Sequence, residues 1–276
     1  MRGEEVRGEE PRGEETRGEE ARGDEEVRGE ETSSSGAAGR RPLAVVDGAM
    51  RAVVCRRFAP VSELTVEEVD EPTPARDEVL IDIHAAGVNF PDVLIVQGKY
   101  QARPGFPFIP GGEVAGVVRS VGAGVRDLAP GDPVFALCGV GGFAERVAVV
   151  RERVVKLDPR VDLRVAGGFV MTYATSLYAL KDRARLAEGE TLLVLGAAGG
   201  VGLAAVELGK RLGARVIAAA SSAEKLELCA ASGADLLLNY GALKGDDGRL
   251  DGRALKGEIR RLSGAGVDVT YDPVGG

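Results

Sequence analysis

The sequence contains no tryptophan, one histidine and three cysteines, and aromatic residues make up only 4% of its 276 positions. A core must therefore be packed from aliphatic side chains, which the hydrophobic content of 44% allows. Three widely separated cysteines cannot form a paired disulfide framework, so the composition favours a reducing compartment. We expect a cytoplasmic protein, with mitochondria as the alternative location. A single histidine with scattered cysteines also argues against a metal site, because zinc takes about four such ligands.

Long hydrophobic runs and an excess of basic residues are missing as well. No apolar stretch approaches the roughly 18 residues that span a bilayer, so we expect no membrane segment. The net charge is -8, yet residues 1–31 alone contain six Arg against thirteen Asp or Glu. The remainder therefore holds 29 basic and 30 acidic residues. This nearly neutral balance predicts no nucleic-acid partner.

The first 48 residues differ in composition from the rest. Residues 2–31 repeat a short RGEE-type unit, and residues 32–42 are rich in Ser and Gly. A segment with so little apolar surface cannot offset the entropy of ordering, so residues 1–48 are predicted to be a disordered acidic tail and linker. A solvated tail without a task is favoured over an acidic interaction arm. Met50, where the first strand pattern starts, is a candidate for the natural start of the protein.

Two domains follow, predicted at residues 49–165 and 166–276. In the first, Val-rich segments bounded by Gly or Pro predict strands of a β-barrel-type domain, with Pro133 among the residues assigned to loops. In the second, short apolar runs alternate with helical stretches. Repeated βα units predict a doubly wound parallel sheet, with strands in the order 3-2-1-4. The predicted fold class is therefore α/β.

The strongest chemical motif is LGAAGGVG at residues 195–202, which follows a predicted strand and opens a predicted helix. A glycine-rich turn in this context lets the backbone approach a dinucleotide pyrophosphate, and the helix N-terminus offers free N–H groups to it. Alanine stands where the first glycine of the fingerprint usually lies. A glycine-rich turn without a ligand is the alternative, which three further βα units disfavour. The residues predicted to bind the cofactor here are Ala197, Gly199, Gly200, Val201 and Gly202.

The end of the second predicted strand indicates the type of nicotinamide cofactor. NAD-binding folds tend to place an acid there to hold the ribose 2′-hydroxyl. This chain instead has Ser221, Ser222 and Lys225, which offer hydroxyl and ammonium donors to a 2′-phosphate. Glu224 is acidic and close by, but its place beside Lys225 is typical of an exposed residue in a first helical turn. We therefore predict NADPH rather than NADH.

Four segments carry a family resemblance: HAAGVNFPDVLIVQGKY (84–100), FPFIPGGEVAGVVRSVGAGV (106–125), TYATSLYAL (172–180) and LGAAGGVG (195–202). Together they resemble the zinc-free quinone oxidoreductases of the medium-chain dehydrogenase/reductase superfamily, a group that includes zeta-crystallin. The chain looks closer to the branch called quinone oxidoreductase-like protein 2. The resemblance implies a GroES-like catalytic domain, a Rossmann domain that binds NADPH, and a cleft between them for nicotinamide and substrate.

The resemblance also implies roles for residues of the first domain. Asn89 and Tyr100 match the active-site Asn and Tyr of the family, where they would donate hydrogen bonds to a substrate oxygen that gains negative charge. Without the resemblance, Asn89 would be interpreted as a turn residue and Tyr100 as a packed aromatic. Gly112 stands where zinc-dependent relatives place a ligand histidine, and His84 is expected to be an ordinary strand residue.

In the second domain the resemblance adds three cofactor-binding candidates. Either Thr172 or Thr175 would line the cofactor cleft, and Tyr240 would join Ser221 and Lys225 at the 2′-phosphate end of NADPH. Relatives continue beyond the fourth strand of this sheet. We therefore expect the Rossmann domain to be incomplete at its C-terminal end, which would leave the fourth strand as an unpaired edge.

The implied function is the zinc-free transfer of a hydride from NADPH to a quinone or an α,β-unsaturated carbonyl compound. An enoyl-thioester reductase is an alternative within the same superfamily. A non-enzymatic NADPH-binding protein, or an inactive shortened product, is the alternative outside it. The expected partner is thus a small molecule, and a homodimer is expected only because dimers are usual in the family.

Overall fold

The computed structural model of the protein describes residues 48–245 and 248–275. The predicted tail and linker, residues 1–48, lie outside this part except for Gly48. The two domains that follow belong to one compact unit, Val45–Gly276. In the described ranges, no helix combines the length and the apolar character needed to cross a membrane.

The N-terminal domain is built from antiparallel strands. These strands are β1 (Ala49–Val54), β2 (Thr65–Asp70), β3 (Glu78–Gly87), β4 (Glu113–Val121), β5 (Pro133–Leu137), β6 (Arg146–Val150) and β7 (Val154–Lys156). In β1, β5 and β6 buried residues alternate with more exposed ones, so that one face is buried. Strands β1 and β2 pair with each other, and the other five form one sheet in the order β6-β3-β4-β5-β7. Buried Val79, Ile81, Val114 and Val134 lie in its core, as expected for a half-barrel packed from aliphatic side chains.

Three short helices accompany this sheet. They are α1 (Phe90–Val96), α2 (Leu163–Ala166) and α3 (Val170–Leu177), and α3 continues into a π-helical turn at Tyr178–Arg183. Helix α1 connects β3 to the segment before β4, whereas α3 contacts the first helix of the C-terminal domain. Helix α3 therefore belongs to the region where the two domains meet.

The C-terminal domain alternates strands and helices. Its elements are β8 (Thr191–Val194), α4 (Gly200–Arg211), β9 (Arg215–Ala220), α5 (Ala223–Ala231), β10 (Leu236–Asn239), α6 (Gly252–Ser263) and β11 (Val269–Tyr271). All strand pairs are parallel, and their order is β10-β9-β8-β11. This is the predicted order 3-2-1-4, so the α/β class with a GroES-like and a Rossmann-type domain is confirmed.

Side-chain caps fix where two of these helices begin. The Ser222 hydroxyl oxygen accepts a hydrogen bond from the N–H of Lys225, and Asp251 accepts from the N–H groups of Arg253 and Ala254. Each cap satisfies N–H groups that have no partner within the helix. Ser222 and Asp251 thus mark the residues at which α5 and α6 begin.

The structure corrects the prediction for Pro133, which was assigned to a loop and is the first residue of β5. Proline is tolerated there because a ladder hydrogen bond is not required from the first residue of a strand. Strand β7, with three residues, is too short to give a periodic signal. Helices α1 and α3 were not predicted either, because their Val, Ile and Thr residues favour strands in isolation.

We expect Leu192→Ala to lower the free energy of unfolding by about 2–5 kcal/mol, since it leaves a cavity in a packed core. Leu192 is 0% exposed on β8, a strand with neighbours on both sides. The matched control is Leu237→Ala on β10, where the side chain is 39% exposed. Its cost should stay below about 1 kcal/mol. Chemical denaturation followed by circular dichroism measures both losses, and equal losses would contradict the assigned core.

Candidate functional site

The glycine-rich loop connects the end of β8 to the start of α4. Gly196 has φ 58°, in the left-handed region that glycine adopts without strain. The next residue, Ala197, is fully buried, and its N–H donates to the carbonyl oxygen of Ala219 at 3.0 Å. The loop is therefore held against β9 by its own backbone and not by polar side chains.

Helix α4 begins in close contact with this loop. A Cβ atom on Gly202 would lie 2.5 Å from the carbonyl oxygen of Gly196 and 2.7 Å from the Cα of Ala197, so only glycine fits. Gly199 lies at the N-cap with extended backbone angles. The first-turn N–H groups of Gly200, Val201 and Gly202 have no intrahelical acceptor and form a positive pole suited to an anion.

A pocket of about 170 Å³ lies where the loops that follow β8, β9 and β10 meet. Its position at the carboxyl ends of parallel strands is where ligands bind in doubly wound sheets. The pocket thus brings three of the predicted cofactor residues together: Gly199 after β8, Lys225 in the first turn of α5, and Tyr240 after β10. The residues that line it are Gly196, Ala198, Gly199, Ala220, Lys225 and Tyr240.

The two serines after β9 have different surroundings. The Lys225 ammonium group, which lines the pocket, donates to the Ser221 hydroxyl oxygen at 3.2 Å. Ser222 caps α5 through its hydroxyl oxygen, and its O–H can still donate to a ligand. Glu224, the acidic neighbour, is exposed in the first turn of α5, as its place in the sequence suggested.

Helix α3 packs against the start of α4. A methyl carbon of Thr172 lies 3.1 Å from where a Cβ on Gly200 would be, so Thr172 touches the glycine-rich segment. Thr175 is exposed on the same helix. Ser176, which the sequence did not indicate, is fully buried and donates to the carbonyl oxygen of Val201 at 2.9 Å. Contact with the loop favours Thr172 over Thr175, although the role of either residue stays a prediction.

Asn89 lies at the junction between β3 and α1, where it is the N-cap residue of the helix. The carboxylate of Asp92, three residues on, accepts a hydrogen bond from the backbone N–H of Asn89 at 2.8 Å. The side-chain amide of Asn89 donates from Nδ2 to Oε1 of Glu113, also at 2.8 Å. Asn89 is thus a turn residue at the start of α1, and the hydrogen bond to Glu113 also fixes the direction of its side-chain amide.

Glu113 is the residue of this region that sequence reasoning missed. It is 1% exposed, and its second oxygen, Oε2, accepts from the backbone N–H of Met171 at 2.9 Å. Its signal in the sequence was an acid directly before the apolar residues 114–118 of β4. A buried acid requires hydrogen-bond partners, and those are supplied here by α3 and by the residue before α1.

Tyr100 lies beyond the other end of α1. It is half-buried and packs against an apolar cluster that includes Cys55, Ile95 and Phe108. The two residues predicted to be catalytic are therefore separated by α1, which is about 10 Å long at 1.5 Å per residue. The ring of Tyr100 is thus a packed aromatic, whereas a catalytic role for its hydroxyl group stays a prediction.

Comparisons with known proteins agree with this geometry. The family description "Alcohol dehydrogenase GroES-like domain" matches residues 75–159, and "Zinc-binding dehydrogenase" matches residues 200–276. The quinone oxidoreductase of Thermus thermophilus, solved also in complex with NADPH, is 33% identical with a TM-score of 0.69, and the match covers 82% of this chain and 68% of that chain. The chain belongs to the quinone oxidoreductase family.

Two further proteins are similar to large parts of the chain. A probable oxidoreductase from Mycobacterium abscessus is 38% identical with a TM-score of 0.74, over 83% of this chain and 70% of that chain. The bovine quinone oxidoreductase-like protein 2 is 39% identical over 197 residues, 70% of this chain. The chain matches 56% of the length of this bovine relative.

One of the matching family descriptions refers to zinc, and the donor set of this family member does not fit that metal. Within the ranges that the structure describes, no group of three or more His, Cys, Asp or Glu side chains could hold a metal ion. His84 is exposed on β3, and Gly112, which precedes Glu113, has no side chain to act as a ligand.

Cys138 provides a test of the buried acids around Asn89. Burial, above all, together with the nearby charges of Asp92 and Glu113, raises the pKa of its thiol from 9.0 to about 12. At pH 8 the thiolate fraction should then fall about 1,000-fold below that of an unperturbed thiol, and alkylation should slow to match. The rate can be measured by iodoacetamide labelling and mass spectrometry of the Cys138 peptide. Equal alkylation rates in native and denatured protein would contradict the burial of the Cys138 thiol beside these two acids.

Proposed function

We propose that this member of the quinone oxidoreductase family transfers a hydride from NADPH to a quinone or to an α,β-unsaturated carbonyl compound, without zinc. The observation that carries the proposal is the pocket in which the glycine-rich loop, Lys225 and Tyr240 meet. Bound NADPH would supply the hydride, and the protein would supply position and electrostatics.

The pyrophosphate side of the proposed site depends on backbone groups. The missing Cβ at Gly202 allows α4 to start beside the loop, so that its first N–H groups point at a bound phosphate. Thr172 would border the same segment from α3. The quinone oxidoreductase of Thermus thermophilus, a relative with the same arrangement of domains, has been solved in complex with NADPH.

The adenosine side of the site favours a 2′-phosphate over a free hydroxyl. Lys225 lines the pocket and is hydrogen-bonded to Ser221, and both side chains can donate to phosphate oxygens. Tyr240 completes this side. No carboxylate is among the residues that line the pocket, which agrees with NADPH as the preferred cofactor.

The substrate side of the proposed site centres on Asn89. Its neighbours in the sequence, Val88 and Phe90, are 78% and 73% exposed, so two exposed apolar side chains flank Asn89 along the chain. Exposed apolar groups around a polar group suit a flat, largely apolar acceptor such as a quinone. The Asn89 amide has two N–H groups, of which one donates to Glu113. The other is the proposed donor to the substrate oxygen that gains charge.

We expect Lys225→Met to weaken NADPH binding roughly tenfold to a hundredfold, because a charge-assisted hydrogen bond to the 2′-phosphate is lost. NADH binding should be unchanged, since NADH has no 2′-phosphate. Lys181→Met, at an exposed lysine that does not line the pocket, is the matched control. Fluorescence titration with both dinucleotides measures the effect, and an equal loss for NADPH and NADH would refute the assigned orientation.

Oxidation of NADPH by the purified protein tests the proposed activity. Turnover is expected with an ortho- or para-quinone, and Asn89→Ala should lower kcat by about tenfold or more while NADPH still binds. Turnover with an enoyl thioester but not with a quinone would favour the alternative reductase. Binding of NADPH without turnover of any acceptor would favour a non-enzymatic protein.

A further inference from the structure

We infer that Glu113 is the positioning residue of this site: it fixes the direction of the Asn89 amide and ties it to helix α3, beside the glycine-rich loop. The inference rests on the proposed function, because Asn89 is taken there as the donor to the substrate. Glu113 would act through Asn89 and would not contact the substrate itself.

The contacts of Glu113 join segments that are distant in the sequence. Its Oε1 accepts from Asn89, 24 residues earlier, and its Oε2 accepts from the N–H of Met171, 58 residues later. Met171 precedes Thr172, which touches Gly200 in the proposed cofactor site. One buried carboxylate thus connects the proposed substrate donor to the helix that borders the cofactor.

A carboxylate is needed for this double contact. It has two acceptor oxygens, so it can accept from Asn89 and from Met171 at once. Glutamine has the same shape but only one oxygen, and its NH₂ group would face one of the two donors. Because Glu113 is 1% exposed, no water can take the place of the lost oxygen there, and the donor that loses its acceptor should change its geometry.

Gly87 gives a second way to disturb the carboxylate without removing it. A Cβ on this residue would lie 2.2 Å from Oε1 of Glu113, and the three nearest atoms are all in the Glu113 side chain. The backbone of Gly87 lies outside the left-handed region, so alanine is conformationally acceptable there. Gly87→Ala should therefore displace the Glu113 carboxylate and little else.

The sequence provides a direct spectroscopic readout. The sequence contains only two asparagines, Asn89 and Asn239, so selective ¹⁵N-asparagine labelling gives signals from two side-chain NH₂ groups. Asn239 is an internal control, because its side-chain oxygen accepts from Gly241 at 3.0 Å and its contact does not involve Glu113. We expect an Asn89 amide proton to lie downfield of its Asn239 counterpart, and to shift upfield in Glu113→Gln and in Gly87→Ala.

Turnover measures the consequence of this shift. Both variants should lower kcat by about tenfold or more, with the Kd for NADPH changed less than about twofold, because misplacement acts on the reacting geometry. In a Glu113→Ala background, Gly87→Ala should cause no further loss, since its only target is gone. Glu145→Gln, at an exposed acid in the same domain that binds Arg51, is the control and should leave kcat unchanged.

Each outcome decides the inference. Unchanged Asn89 signals in Glu113→Gln would overturn it. A variant in which kcat, NADPH affinity and melting temperature all fall together would also overturn it, because that result would indicate a purely structural role. Additive losses in the Gly87→Ala and Glu113→Ala double variant would also overturn it. If the wild type does not oxidise NADPH with any acceptor, the proposed function fails, whereas the amide signals still decide whether Glu113 orients Asn89.

Discussion

The close approach of helix α4 to the loop after β8 is the constraint on which the cofactor side of this protein depends. Gly202 has no room for a side chain beside Gly196 and Ala197. The helix can therefore start at the carboxyl edge of the parallel sheet with its N–H groups facing the loop. A larger residue would move the helix axis, and the pole of positive potential would move with it.

Helix α3 extends this constraint to the other domain. It contacts α4 through Ser176, which donates to Val201, and through Tyr173, whose hydroxyl donates to Glu207 at 2.6 Å. Its N-terminal end contacts the half-barrel through the bond from Met171 to Glu113. Partly buried hydrogen bonds therefore connect the proposed cofactor and substrate groups, and their loss is costly where water cannot replace them.

Much of the fold was predictable because its signals are local. The βα repeats after residue 190 gave the order of the parallel sheet, and the glycine motif gave the start of α4. Pro133 and the short β7 were missed because their strands are stabilised by neighbours and not by their own sequence pattern. Helix α1, rich in Val and Ile, was missed for the same reason.

The sequence by itself determined the family, through four motifs that resemble its known members, and the parallel sheet with its glycine-rich loop, because the βα repeats and the glycine motif are local patterns along the chain. Only the tertiary structure decided that Glu113 is buried between Asn89 and Met171, and that Thr172 rather than Thr175 touches the loop. Contacts between residues 24 to 58 positions apart depend on how strands and helices pack, and no local pattern records them.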